Sequence, residues 1–352
     1  MNPDSFSYTF NDNTFDSDIC TDLLLERLAQ TPLLDLPLQS RLQPMRSFQR
    51  INANVYLKHD DELAFGLGGS KVRKFASLLP FLLKERFDEV WVVGGAYSNA
   101  VAGLSLLLRQ AALPYRLVLR GAADQYQPVG NHLLIRLSTP LDQCDWVARS
   151  VWPHVLKNIH QQAEAERQRG RRIYIIEEGA TVEPAAPGCA TLFADLLRNE
   201  EQLGCPFDHI LLDAGTGMTA AVLLLIDAWV GSGRQFHVLL TAGDAESFHA
   251  VLERFRLALG QWLGETLPLP VRFELHAPAK PFGRVSASDL ARSRYWAATE
   301  GIIADPVYTA PLLDWAADVV TSWRLSGTIG VLHGGGGTGL FGFGTGLVGQ
   351  WK

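Results

Sequence analysis

The chain has 352 residues, 47% of them hydrophobic and 19% charged, which is enough apolar mass for one large or two medium domains and is not the composition of a disordered chain. A net charge of −6 argues against a general nucleic-acid role, and no stretch reaches about 18 uncharged apolar residues, so no membrane span is expected. Cys20, Cys144, Cys189 and Cys205 show no CxxC or Cys/His spacing, so neither a zinc framework nor a disulfide framework is expected, and MNPDSFSYTFNDNTFDSDIC lacks the basic start and apolar centre of a signal peptide. These features together predict a reduced, cytoplasmic protein without a metal.

Residues 1–45 read as irregular, with a short helix near 23–30. The stretch GLGGSKVRKF follows at 66–75, where Ser70 reads as a helix cap and Lys71 as the first turn. From there one pattern recurs: a short apolar run ends in glycines and a helix follows. Residues 89–93 run into Gly94-Gly95 and a helix over 98–112. Residues 209–212 run into Gly215-Thr216-Gly217 and a helix over 219–230. Residues 328–333 run into Gly334–Gly337. Further strands are expected at 115–119, 172–176, 236–241 and 271–275, with helices at 150–169, 186–203, 244–263, 286–300 and 310–324. This alternation predicts an α/β fold, a mostly parallel sheet flanked by helices, with ligands at the carboxyl ends of the strands.

Four stretches at those ends carry chemistry. Lys71, Arg73 and Lys74 crowd the positive end of a helix, which disfavours an ammonium and attracts an anion; a neutral lysine amine attacks carbonyl carbons. One dianionic aldehyde would account for both effects, whereas pairing of these cations with Asp60, Asp61 and Glu62 is the structural alternative. In DAGTGMTAAV, residues 213–222, the glycine turn with Thr216 and Thr219 suits a phosphate monoester; it is not a Walker loop, and Ala220 stands where a dinucleotide fingerprint needs its third glycine. In VGGAYSNAV, residues 93–101, Asn99 can donate to a phenolate oxygen and Ser98 can hold a carboxylate, with simple capping as the alternative. In ADPVYTAP, residues 304–311, Tyr308 is a candidate acid or base on a proline-fixed turn; His333, ahead of the last glycine run, reads as a core residue.

Taken in order, GGSKVRKF, VVGGAYSNA, GTGMT, DPVYT and LHGGGG resemble the pyridoxal-phosphate enzymes of the 1-aminocyclopropane-1-carboxylate deaminase and D-cysteine desulfhydrase family, from about Lys58 to Gly342. The resemblance implies a two-domain, tryptophan-synthase-β-like fold (fold type II), with a large domain of residues 1–75 and 186–352 and an inserted small domain of residues 76–185. It implies pyridoxal 5'-phosphate bound covalently to Lys71 and a homodimer. It also implies Gly215, Thr216, Gly217, Met218 and Thr219 around the phosphate, Asn99 at the ring oxygen, Ser98 at the substrate carboxylate, Tyr308 as second catalytic residue and Thr309 opposite the pyridine nitrogen. A threonine there, where ring-opening deaminases carry glutamate, makes the cofactor a weaker electron sink.

Departures surround the substrate side. Ala100-Val101 replaces a polar pair after Ser-Asn, Phe282 replaces a second active-site tyrosine, DPVYTAP replaces DPVYTGK, and IIEEGATVEPAAPG is more acidic than its counterpart. The expected activity is α-proton abstraction and β-elimination on an amino acid that is neither family namesake, giving an α-keto acid and ammonia. The alternatives are racemisation by Lys71 and Tyr308, cofactor binding with little turnover, and, ranked below these, a nicotinamide-dependent oxidoreductase.

Overall fold

The computed structural model describes residues 17–48, 53–277 and 283–348. Phe282 lies outside the described residues. In chain order the elements that matter here are α1 (Ser17–Gln30), β1 (Leu42–Pro44), β2 (Ala53–His59), α2 (Lys71–Glu85), β3 (Glu89–Gly95), α3 (Asn99–Gln110), β4 (Tyr115–Arg120), α4 (Gly130–Ser138), β5 (Cys144–Val147), α5 (Val155–Gln168) and β6 (Ile173–Ile176). They continue with α6 (Ala186–Leu203), β7 (His209–Ala214), α7 (Met218–Val230), β8 (Gln235–Leu240), α8 (Ala245–Leu263), β9 (Phe273–His276), α9 (Ala287–Glu300), α10 (Thr309–Ser322), β10 (Gly327–His333) and α11 (Gly337–Leu340).

The strands form a six-stranded sheet in the order β1-β2-β10-β7-β8-β9 and a four-stranded sheet in the order β5-β4-β3-β6. Every neighbouring pair is parallel except β1 with β2. Parallel strands buried on both faces should be apolar at odd and even positions alike, and they are. In the small sheet, Trp91, Val93 and Val118 pack with Trp152 and Ile159 of the α5 side. Val90, Val92, Leu117 and Leu119 join the main core with α2 and α3. In the large sheet, Ile210, Leu212 and Val238 pack with α6, α7 and α8. Leu57, Leu211 and Val331 face α10 on the other side. The fold is the fold-type-II arrangement. No described helix is long and apolar enough to cross a membrane.

Most expected elements stand where periodicity put them. Helices α8 and α9 are N-capped by Asp244 and Ser286, each through a capping box. Five of these elements gave no usable signal: β1, β2, β5, α4 and α11. β2 was masked by its polar end, for Lys58 and His59 are buried. Lys58 is neutralised inside the protein: its Nζ donates to Asn199 Oδ1 at 2.7 Å and to Ser40 Oγ at 2.9 Å, and it pairs with Asp195. β5 has four residues and α4 nine, too few to show a period. Helix α1 begins at Ser17, earlier than expected, and α5 begins later, at Val155.

Candidate active site

The loop before α2 is wedged between the two sheets. Gly68 and Gly69 have φ of +86° and +63°, a region that side chains rarely adopt. A Cβ on Gly68 would stand 2.9 Å from the carbonyl oxygen of Asn99, at the end of the small sheet. A Cβ on Gly69 would stand 2.7 Å from the carbonyl oxygen of Gly334, at the end of the large sheet. The paired glycines therefore let the chain pass through a gap that admits only backbone, and Lys71 emerges in that gap as the first residue of α2. Ser70 occupies the N-cap position without capping: its own backbone is already helical and its side chain makes no cap bond. Its N–H donates instead to Gly334 O at 2.9 Å.

The three cations of this turn separate into distinct roles. Arg73 is held by Asp60 on two sides, at 2.7 Å each, and by Asp195 at 2.8 Å. The pairing alternative thus holds for Arg73, although Asp61 pairs with His59 and Glu62 with Arg41. Lys74 Nζ donates to Gly179 O at 2.8 Å, and burial, reinforced by the charge on Lys71, pushes its amine down to about 7. Lys71 Nζ makes no hydrogen bond among the described residues.

Opposite Lys71 stands the carboxyl end of β7. Asp213 is pushed up to about 6 by burial, with Lys71 opposing and Asp305 reinforcing that shift. The turn Gly215-Thr216-Gly217 then leads into α7, where Gly217, at φ +84°, occupies the N-cap. No side chain caps α7, so its first-turn N–H groups remain directed at whatever occupies the turn. Met218 is fully buried and has only its backbone N–H to offer. The buried Cys189 thiol lies within the electrostatic reach of Lys74 and Lys71. Thr181 Oγ1 lies 2.7 Å from Thr216 Oγ1, and a Cβ on Gly179 would come equally close to Thr216, so the segment around residues 177–182 closes over the turn.

Ser98 caps α3 by accepting from Val101 N at 3.4 Å, as the capping alternative supposed. Asn99 Oδ1 accepts from Asn131 Nδ2 at 2.8 Å, which leaves the Asn99 amide NH2 as the group available to a ligand oxygen. Thr338 Oγ1 in turn donates to Asn131 Oδ1 at 2.6 Å. Ala100, expected to face the substrate, instead has its methyl in the core, so only its backbone borders the cleft.

Asp305 explains the DPVY segment. Its carboxylate accepts N–H groups from Val307, Tyr308 and Thr309, which fixes the entry to α10. The Tyr308 ring lies 3.5 Å from a Cβ built on Gly215, and burial raises its phenol well above the ordinary value, with Asp305, Asp213 and Glu178 adding to the shift. Thr309 Oγ1 lies 3.2 Å from His333 Nδ1 and donates to Gly335 O at 3.1 Å. His333 Nδ1 also accepts from Gly335 N at 3.3 Å while Nε2 faces Ile303 O at 3.2 Å, a pattern that assigns a neutral ring. His333 is thus a buried support for Thr309, consistent with its reading as a core residue.

The structure therefore gathers Lys71, Asn99, the 215–219 turn, Tyr308 and Thr309 around one cleft between two sheets. The sequence assigns no role to Asp213, Thr181, Asn131 or Thr338. Asp213 carried a readable signal, an acid at the last position of an apolar strand run before a glycine turn; Asn131 and Thr338 carried none.

These features define a class: a two-sheet, fold-type-II protein of the pyridoxal-phosphate enzyme architecture. Within that class the chain resembles the 1-aminocyclopropane-1-carboxylate deaminase and D-cysteine desulfhydrase family. It is 29% identical over 315 residues to the 1-aminocyclopropane-1-carboxylate deaminase of Mesorhizobium japonicum, covering 81% of this chain and 88% of that one. It is 24% identical over 328 residues to the D-cysteine desulfhydrase of Klebsiella pneumoniae, covering 90% and 94%. A crystal structure of an ACC deaminase homologue superposes with a TM-score of 0.80 at 27% identity, covering 93% of this chain and 98% of that one. No family model matches the chain.

Proposed function

We propose that the chain is a pyridoxal-phosphate-dependent lyase that removes the α proton of an amino acid and eliminates its β substituent, giving an α-keto acid and ammonia. The residues fit the cofactor on the chemistry of their donors. An uncapped helix N-terminus with Thr216 and Thr219 suits a phosphate dianion, Asn99 offers an N–H donor to a phenolate oxygen, and Lys71 supplies an amine without a hydrogen-bond partner among the described residues. The observation that carries the reading is this contrast within one helical turn: Arg73 and Lys74 are held while Lys71 is left to the cleft.

When bound, pyridoxal phosphate supplies the electron sink that makes an α proton removable. The Lys71 amine accepts that proton. Ser98 and the first N–H groups of α3 hold the substrate carboxylate. Tyr308, whose buried phenol keeps its proton across the neutral range, donates to the departing β group. Thr309, backed by the neutral His333, would offer the cofactor's ring nitrogen a hydroxyl and no formal charge, which favours elimination over opening of a cyclopropane ring. That argues against the cyclopropane substrate, and Ala310-Pro311 after Tyr308-Thr309, a departure on the substrate side, sets the chain apart from both family namesakes.

Borohydride reduction of the purified protein followed by peptide mapping tests the reading. The adduct is expected on Lys71, with keto acid released from a panel of L- and D-amino acids, and Lys71→Ala is expected to lose both. A mapped adduct elsewhere, or none, would overturn it; racemised product without keto acid would shift the assignment to a racemase.

A further inference from the structure

On the face of the large sheet that α10 covers, beyond the turns that form the cleft, neighbouring strands bring three imidazoles and a carboxylate together. His209 is on β7, His237 on β8, and Glu274 and His276 on the edge strand β9. The parallel register sets Leu211 beside His237 and His237 beside Glu274. Alternation along each strand then puts all four side chains on one face. Trp315 and Trp323 lie against the cluster, with ring centroids 4.9 Å and 5.2 Å from that of His276.

Two nitrogens in this cluster are unsatisfied. His237 Nδ1 and His276 Nε2 are buried and make no hydrogen bond among the described residues. Glu274 Oε2 lies 3.9 Å from the first and 3.6 Å from the second, beyond hydrogen-bond length, and His237, Glu274 and His276 each offer one ligand atom within 4.8 Å of the others'. Buried polar atoms left without partners are rare and call for an explanation. Hydrogen bonding would draw these atoms to about 2.8–3.0 Å. A four-coordinate ion with bonds of about 2.0–2.1 Å would hold its ligand atoms roughly 3.3 Å apart, so the 3.6 Å and 3.9 Å gaps to Glu274 Oε2 would have to close by a few tenths of an ångström around one.

The other ring nitrogen of His237 supports the same reading. Nε2 lies 3.2 Å from His209 Nδ1, the bond that an outer partner makes to fix a metal-binding imidazole. With the proton on Nε2, the Nδ1 lone pair points at Glu274 and His276.

We propose that His237 Nδ1, Glu274 Oε2 and His276 Nε2 form a site for one divalent transition-metal ion of the zinc type, with water in the fourth position. Two imidazoles and one carboxylate suit zinc rather than magnesium or calcium. Glu274 is half exposed and gives the ion its way in. The ion would fasten the edge strand β9 to β8, separately from the lysine cleft. The spacing of the sequence hides the site, because its ligands come from two strands separated by the whole of α8.

The test is a cobalt(II) titration of the full-length holoprotein, stripped with EDTA, in a Cys205→Ser background that removes an exposed thiol. One equivalent should give the visible bands of a four-coordinate site and quench the emission of Trp315 and Trp323, and zinc should reverse both. Glu274→Gln, at an exposed position that folding tolerates, should weaken binding at least tenfold, and His209→Phe about tenfold through loss of the outer bond. Glu62→Gln, in a second acid–histidine cluster of His59, Asp61 and Glu62, should leave the titration unchanged. Absence of cobalt bands in the parent protein, an unchanged affinity in Glu274→Gln, or loss of binding in Glu62→Gln would each overturn the assignment.

Discussion

At the scale of single residues, the cleft is a set of groups whose charge is governed by burial. Lys74 shows this most plainly. Its amine is held at about 7 in the folded chain, whereas an unfolded lysine titrates above 10. Between those values the unfolded state binds more protons, so this residue makes stability rise as pH goes from about 7 to 10. Urea midpoints of the protein without cofactor, compared with Lys74→Met, should show the wild type gaining on the variant across that window by up to a few kcal/mol and not below it. Residue identities here were only partly readable. Lys71, Asn99, Tyr308 and Thr309 announce themselves through glycine runs and a proline-fixed turn. Lys74 looked like one more cation, because nothing in the sequence tells which of three neighbouring cations is buried against a carbonyl. Phe282, marked in the sequence as a substitution on the substrate side, lies outside the described residues.

At the scale of elements, α2 is positioned less by its own capping than by a buried polar cluster. Arg73 on α2, Lys58 on β2, Asp60 just after β2, and Asp195 and Asn199 on α6 share hydrogen bonds with Ser40 in the stretch before β1. Asp195 pairs with both Lys58 and Arg73. Asp195→Ala would leave two buried cations short of their counter-charge and should cost about 3–5 kcal/mol in denaturant melts, against little for the exposed Arg167–Glu164 pair. This cluster also explains why β2 escaped the sequence reading. A strand search looks for apolar runs, and the end of β2 is polar because its partners arrive from α6. Helices α8 and α9, by contrast, fall within one residue of their expected starts because their stop and start signals are local.

At the scale of the whole molecule, the two sheets meet through the lysine loop and through the far end of the chain. The division read from the sequence, with residues 76–185 as an inserted domain, puts all four strands of the small sheet in the insert. Thr338, at the start of α11, donates to Asn131 on α4 and thereby ties the glycine-rich C-terminal turn to the small-sheet side. Thr338→Val should leave Asn131, and through it Asn99, less constrained. Cofactor affinity is expected to fall about 2- to 10-fold, the worth of one such bond, and amide exchange of residues 337–343 to quicken. Neither half of this clasp could be seen in the sequence, since the two residues come together only once both sheets are in place.

The strand order has a consequence for synthesis. Strands β3 to β6 are contiguous in sequence and can pair as soon as they leave the ribosome, but β10 sits in the middle of the larger sheet and is the last strand of the described chain to be translated. Until it threads between β2 and β7, those two strands have no common neighbour, and Ser70 lacks the carbonyl of Gly334 that anchors its N–H. A nascent polypeptide stalled shortly before residue 327 therefore carries the Lys71 amine but no chamber to hold it in.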